Sequence, residues 1–431
     1  MIVLLGGLLV FLAMRVPVAY SLGLSALTYF AFFRPELLPI LPQRLLAGMD
    51  TYELIALPLF ILMGQLMNVS GITSLLINFC LLFVGRIPGA LGLVNVTASM
   101  LFGGISGSSA SDTASIGSVL IPEMENRGYP KSFAAGITVA SSTMGMIIPP
   151  SIPIVIYAVT AQESVGRLFL GGIIPGILVG VLQLLFVYLI SKKRKFPTER
   201  INLSGRDIGL SLLVLPMPIV VVGSVVGGIA TPTESAAIGL LYAAALGCVL
   251  RLISTKVYGE TSNFTLNNIR EATRSSILTS AKIMMIIAMS KVFIWVLAYE
   301  RVPENVASGL IGAGFSPTIL MLLIAGFVLL AGTFIDVSPA ILLLTPVFLP
   351  AVQQAGVSPV LFGVVLVSAL AVGACTPPVG NCLNVCSAVC GLKIGEIFRG
   401  AFLFLLANVI ALVLTILFPQ TVLWIPSVLM P

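Results

Sequence analysis

Two stretches of this chain gather the residue types that can hold a small cation and a carboxylate. The first runs through Gly103–Ser109 and Gly145–Pro149, the second through Gly332–Asp336 and Gly373–Thr376. Glycine lets the main chain turn with positive φ. The doublets Pro149-Pro150 and Pro377-Pro378 remove amide donors and free the carbonyls that precede them. A helix broken in this way leaves N–H groups unpaired on one side and C=O groups on the other. The carbonyls and short hydroxyls suit a hard cation such as sodium, and the N–H ends, which carry partial positive charge, suit a carboxylate. Asp112 and Asp336 are the acidic residues nearest these breaks. Each has two readings, coordinating or balancing a cation, or capping a helix. Ser108, Asp112 and Ser115 share one helical face, while Asp336 and Ser338 stand where a half-helix begins.

The elements that position these residues are written twice. Laying Pro122 on Pro350 carries Gly104 to Gly332, Gly128 to Gly356, Gly145 to Gly373 and Pro149-Pro150 to Pro377-Pro378, without a gap. The chain is 58% hydrophobic and 9% charged, far below the roughly 25% charge of a soluble domain. Apolar stretches long enough to cross a bilayer recur from end to end, with no ten-residue alternation of a membrane barrel. Met1–Ala13 lacks the charged start and small-residue cleavage site of a signal peptide, and apolar sequence runs on to Phe33, so a first span is expected there. The expected fold is an all-α polytopic membrane protein in which interrupted helices occur in matched pairs, the arrangement that marks transporter binding sites.

Charge sets the threading. The junctions at 34–44, 86, 127–131, 192–206, 251–274 and 393–399 hold 17 of the 22 basic residues; those near 70, 161–167, 229–235, 299–305 and 351–359 hold only Arg167 and Arg301. The first set is expected on the cytoplasmic side, with both chain ends outside, across the bilayer from Lys192–Lys195. The segment from Arg86 to Arg127 then starts and ends at the cytoplasm and must turn back as a re-entrant hairpin (86–127). A second hairpin (307–350) enters from outside, so the repeats are inverted. Broken helices follow each, at 132–160 and 359–388. Irregular backbone at this depth needs protein or a wet cavity around it. The expected division is scaffold helices over 1–70, repeat 1 of a transport unit over 71–165, scaffold helices and cytoplasmic loops over 166–276, repeat 2 over 277–398, and a C-terminal helix over 399–431.

Several chemistries are set aside. There is no histidine, so Ser-His-Asp catalysis and histidine metal sites are absent. Cys382, Cys386 and Cys390 lie four apart on one helical face without the flanking spacing of a zinc or iron–sulfur site, and are taken as packing residues. No phosphate-binding Gly-Lys-Ser/Thr occurs, so energy comes from an ion gradient or another chain. The net charge of +6 reports topology rather than nucleic-acid binding. Thr231-Pro232-Thr233-Glu234 is a capping box with proline at the first helical position. Lys282 and Lys291 face an acidic partner, snorkel, or meet an anionic substrate. Rival functions are a stand-alone proton- or sodium-coupled anion carrier, and an intramembrane protease using Ser106 or Asp112 with Asp336.

From Gly103-Gly104-Ile105-Ser106-Gly107-Ser108, through Ile148-Pro149-Pro150-Ser151, Thr231-Pro232-Thr233-Glu234 and Phe334-Ile335-Asp336, to Thr376-Pro377-Pro378-Val379-Gly380, the chain resembles the large membrane subunit of tripartite ATP-independent periplasmic (TRAP) transporters. The resemblance covers nearly the whole chain. It implies sodium-coupled uptake of an organic acid, of sialic acid or C4-dicarboxylate type, in a bacterial inner membrane. It also implies a soluble periplasmic substrate-binding protein and a small four-helix membrane subunit as partners, and an elevator motion of the transport unit against the scaffold. No cofactor is implied beyond sodium as coupling ion. Carried over by position, one sodium site involves Ser106, Ser108, Gly145 and the Ile148 carbonyl, and the other Gly332, Thr333, Gly373 and Thr376. The substrate lies near Ser109, Ser151, Ser338 and Asn381. The sequence departs from many members at Ser368-Ala369-Leu370 and over Cys382–Cys390.

Overall fold

The structure, a computed structural model, describes residues 2–198, 205–257 and 263–430. Arg200, counted above among the basic residues of the 192–206 junction, lies outside the described residues. Every regular element among the described residues is helical, and eight helices are long and apolar enough to cross a membrane.

Four helices of each half follow one plan. In the first half they are α1 (Ala90–Ser106), α2 (Ser109–Asn126), α3 (Lys131–Ser141) and α4 (Ile152–Ala161); in the second, α5 (Pro317–Gly332), α6 (Val337–Gln354), α7 (Pro359–Gly373) and α8 (Asn381–Cys390). Only Gly107 and Ser108 separate α1 from α2, and the two helices pack on each other, so the chain doubles back as a hairpin. Gly107 makes the turn at φ +63°, a conformation that favours glycine. Thr333–Asp336 turns α5 onto α6 in the same way. Past each hairpin the broken helix stops, α3 at Ser141 and α7 at Gly373, and restarts beyond the Pro-Pro doublet as α4 or α8; in the first half the single turn Met144–Ile147 lies between.

The halves exchange their last segments. Helix α8 packs on α2 and α3, and α4 packs on α6 and α7. Each half-helix beyond a Pro-Pro doublet therefore docks on the other half's hairpin and broken helix. Buried apolar residues run continuously through this centre, with Phe102, Tyr157, Phe169, Phe362 and Phe404 among the largest fully buried side chains.

Three expectations need correction. The N-terminal apolar run is not one span. It forms two helices, Ile2–Ala13 and Val18–Phe33, packed side by side. Arg15 adopts a left-handed conformation (φ +62°), and Pro17 can neither donate to the preceding turn nor leave Val16 helical. At about 18 and 24 Å these helices are each shorter than the roughly 30 Å hydrocarbon core. The C-terminal segment is likewise two helices, Ile394–Leu417 and Gln420–Leu429, parted at Pro419. The second turns back onto Val165–Arg194, where the Arg167 guanidinium donates to the Met430 carbonyl at 2.9 and 3.1 Å. Finally, the hairpin proper in the second half begins at Pro317, because Val302–Gly312 is a separate helix lying on α6.

The capping box forms as expected. Glu234 Oε2 accepts from the Thr231 N–H and hydroxyl, both at 2.8 Å, and the Glu234 N–H donates back to Thr231 Oγ1 at 3.3 Å. Lys282 is exposed and Lys291 half-buried, its stem lying against Gly48. Neither pairs with a carboxylate among the described residues.

Candidate functional site at the helix breaks

In each half a hairpin tip presses on a helix break. A Cβ placed on Gly103 would sit 3.0 Å from Gly145 Cα, and one on Gly332 would sit 3.3 Å from Gly373 Cα. Only main chain fits at either crossing. At the first tip the Ser108 N–H donates to Ser106 Oγ at 3.2 Å, and the Ser106 hydroxyl donates to Asp112 Oδ1. Asp112 is fully buried in the first turn of α2, where the helix dipole favours an anion. Its other oxygen has no hydrogen-bond partner among the described residues and points at Gly145. Ile148 ends the short turn Met144–Ile147 with extended backbone, and the segment beyond it stays on the tip, the Ile152 N–H donating to the Gly107 carbonyl at 3.3 Å. Ser106, Ser108, Asp112 and Gly145 thus converge.

The second tip is more open. Thr333 Oγ1 donates to the Leu330 carbonyl at 2.8 Å, and the Thr333 carbonyl accepts from the Val379 N–H at 3.1 Å. The Thr376 hydroxyl donates to the Val372 carbonyl at 2.8 Å and its N–H to the Gly373 carbonyl at 2.9 Å. Asp336 caps α6, its Oδ1 accepting from the Val337 N–H at 3.0 Å and from Asn381 Nδ2 at 3.4 Å. Asp336 and Asn381 line a cleft of about 280 Å³ together with Gly332, Thr333 and Gly380. The two acids therefore differ. Asp336 serves as a cap beside an open cleft, and Asp112 is a buried acceptor with one oxygen free.

The residues assigned to substrate are spread over both halves. Ser109 is buried and its Oγ lies 3.1 Å from Cys382 Sγ, one residue from Asn381. Ser151 is also buried. It donates to the Met146 carbonyl and caps α4 by accepting from the Ile154 N–H at 3.3 Å. Ser338, half-buried, lies in the first turn of α6.

Sequence reasoning missed the support behind the first break. The Ala140 carbonyl, released where α3 ends, accepts from Thr143 Oγ1 at 2.8 Å, Gln183 Nε2 at 2.9 Å and Asn408 Nδ2 at 3.1 Å. Gln183 also donates to Asn408 Oδ1 at 2.6 Å, and Asn408 to Thr143 Oγ1 at 3.0 Å. Nearby, Asn95, Ser99, Thr138 and Ser141 bond one another between α1 and α3. Lone amides in the apolar helices Val165–Arg194 and Ile394–Leu417 were the available signal. Asn408→Leu strips Gln183 of one of its two acceptors and is expected to lower stability by about 1–3 kcal/mol, whereas replacing both partners by leucine costs less than the single change. Thermal unfolding of the three variants in detergent checks this.

Residues 5–421 match the family described as tripartite ATP-independent periplasmic transporter, DctM component. The chain belongs to this DctM family. It is 36% identical over 414 residues to the sialic acid TRAP transporter large permease protein SiaM of Vibrio cholerae, covering 95% of each chain. It is 35% identical over 413 residues to the C4-dicarboxylate TRAP transporter large permease protein DctM of Pseudomonas aeruginosa, covering 94% of each. Among solved structures, the YdaH transporter of Alcanivorax borkumensis shares the fold, with a TM-score of 0.63 at 15% identity over 89% of this chain and 87% of that one. The chain is thus a large permease subunit of a TRAP-type secondary transporter, a multi-pass membrane protein of a family that works with a small membrane subunit and a periplasmic binding protein. Its relatives of different substrate match almost equally well.

Proposed function

We propose that this DctM-family chain carries an organic acid into the cell with sodium, through two tip-and-break sites. The carrying observation is the glycine-on-glycine contact of tip and break in both halves, which gathers main-chain oxygens where nothing larger than hydrogen fits. Ser106, Ser108, Gly145 and the Ile148 carbonyl form one sodium site, with the free oxygen of Asp112 balancing the charge. Gly332, Thr333, Gly373 and Thr376 form the other. The carboxylate substrate, of sialic acid or C4-dicarboxylate type, sits between the tips near Ser109, Ser151, Ser338 and Asn381, with the cleft beside Asp336 as its opening.

In this reading the hairpins and broken helices, 71–165 and 277–398, move as one transport unit against the remaining helices. The exchanged docking of α4 and α8 supports that division, because it ties the two halves into one body. The chain sits in the bacterial inner membrane with a small four-helix subunit, and a periplasmic binding protein delivers the substrate. The C-terminus lies outside: Met430 is held beside Arg167, at the opposite end of Val165–Arg194 from the basic cluster.

Uptake into proteoliposomes holding this chain, its small subunit and loaded binding protein is expected to require an inward sodium gradient. Equal uptake with potassium in place of sodium overturns the coupling, and uptake without binding protein favours the stand-alone carrier.

A further inference from the structure

A second cleft, of about 550 Å³, opens where α3, Val165–Arg194 and Ile394–Leu417 meet. Lys193, Arg194 and Arg399 line it on the charged side, and Ile190, Leu403 and Phe404 on the apolar side. The three cations are exposed, and none makes an ion pair among the described residues. The acids at the end of α2 are engaged elsewhere, Glu123 with Arg127 and Glu125 with Lys131, each at 3.1 Å. Glu396, three residues before Arg399, does not pair with it.

Position decides what such a cleft can hold. Val165–Arg194 has 30 residues, about 45 Å of helix, against a hydrocarbon core of roughly 30 Å. Its basic last turn therefore stands in the headgroup layer, on the side that the charge distribution makes cytoplasmic. Free inorganic phosphate would use the three cations and leave the apolar wall idle. A phospholipid uses both, with its phosphate on the cations and its acyl chains along the wall.

We propose that this cleft binds the phosphodiester headgroup of an anionic phospholipid, held by Lys193, Arg194 and Arg399, with its chains along Ile190 and Leu403. The site is independent of the sodium and substrate assignments.

Native mass spectrometry of the full chain, titrated separately with phosphatidylglycerol and phosphatidylethanolamine, tests it. In K193A/R194A/R399A, phosphatidylglycerol retention is expected to fall roughly a hundredfold, at about 1 kcal/mol for each cation. Phosphatidylethanolamine retention stays unchanged. R399Q alone is expected to lose about fivefold on the same scale. R270A/R274A, which removes two exposed cations elsewhere, leaves retention at the parent level. Parent-like retention in the triple variant, or an equal loss in R270A/R274A, overturns the site. Displacement of phosphatidylglycerol by millimolar inorganic phosphate overturns the lipid assignment in favour of a free anion.

Discussion

On the proposed function, Gly145→Ala and Gly373→Ala are each expected to reduce substrate uptake by about a hundredfold, the loss expected when a site built on position is displaced by ~1 Å. The added methyl at Gly145 would lie 2.2 Å from Asp112 Oδ2 and 3.0 Å from its Cγ. Asp112 is fully buried and bonded to Ser106, so it has nowhere to swing. The tip must back away from the break. At Gly373 the methyl would meet the Leu329 carbonyl oxygen at 2.6 Å and Gly332 main-chain atoms at 2.8 Å. Main chain cannot change rotamer, so α5 itself must shift. Initial uptake in proteoliposomes at matched protein content reads the effect. Gly326→Ala is the control, since a methyl there meets nothing within 4 Å. Parent-rate uptake in both variants would remove the tip-and-break contacts from the transport path.

Gly400→Ala is expected to have the largest effect on stability. Its Cβ would fall 1.9 Å from the Ser132 carbonyl oxygen, and on the facing helix a Cβ at Gly136 would fall 2.2 Å from the Gly400 carbonyl carbon. Helices α3 and Ile394–Leu417 thus touch backbone to backbone, the close approach that small residues permit between membrane helices. Overpacking such a contact costs about 1–3 kcal/mol, and more where backbone must move. Because α3 leads into the first break, Gly400→Ala is expected to lower the thermal midpoint and to weaken uptake together. An unchanged midpoint would mean that the crossing is looser than its geometry. Gly395→Ala, open on all sides, should leave both readouts alone.

The breaks were legible because glycine, hydroxyl residues and paired prolines have few uses inside an apolar helix, and their recurrence in register removed the ordinary alternative of an isolated kink. The capping box was legible for a similar reason, since Thr231 and Glu234 bond only through local spacing. The turn at Arg15–Pro17 escaped because hydropathy averages across it, although Val16 before Pro17 already disfavours helix. Pro419 hid in the same way. Gln183 and Asn408 escaped for another reason. Their bond closes across 225 residues, and no local pattern announces a contact of that range. Asp112 and Asp336 looked equivalent in sequence. Their surroundings separate them, one walled in by Ser106 and Gly145, the other beside an open cleft.

The exchange of α4 and α8 also has a consequence for biosynthesis. Helix α4 finds its partner α6 only after roughly 180 further residues have been made, a delay on the order of ten to forty seconds at ribosomal speed. Until then the nascent first half exposes an apolar face that its own residues do not cover. Lipid or the membrane-insertion machinery must cover this face until α6 arrives, and a chain released early from the ribosome should be a target for quality-control proteolysis.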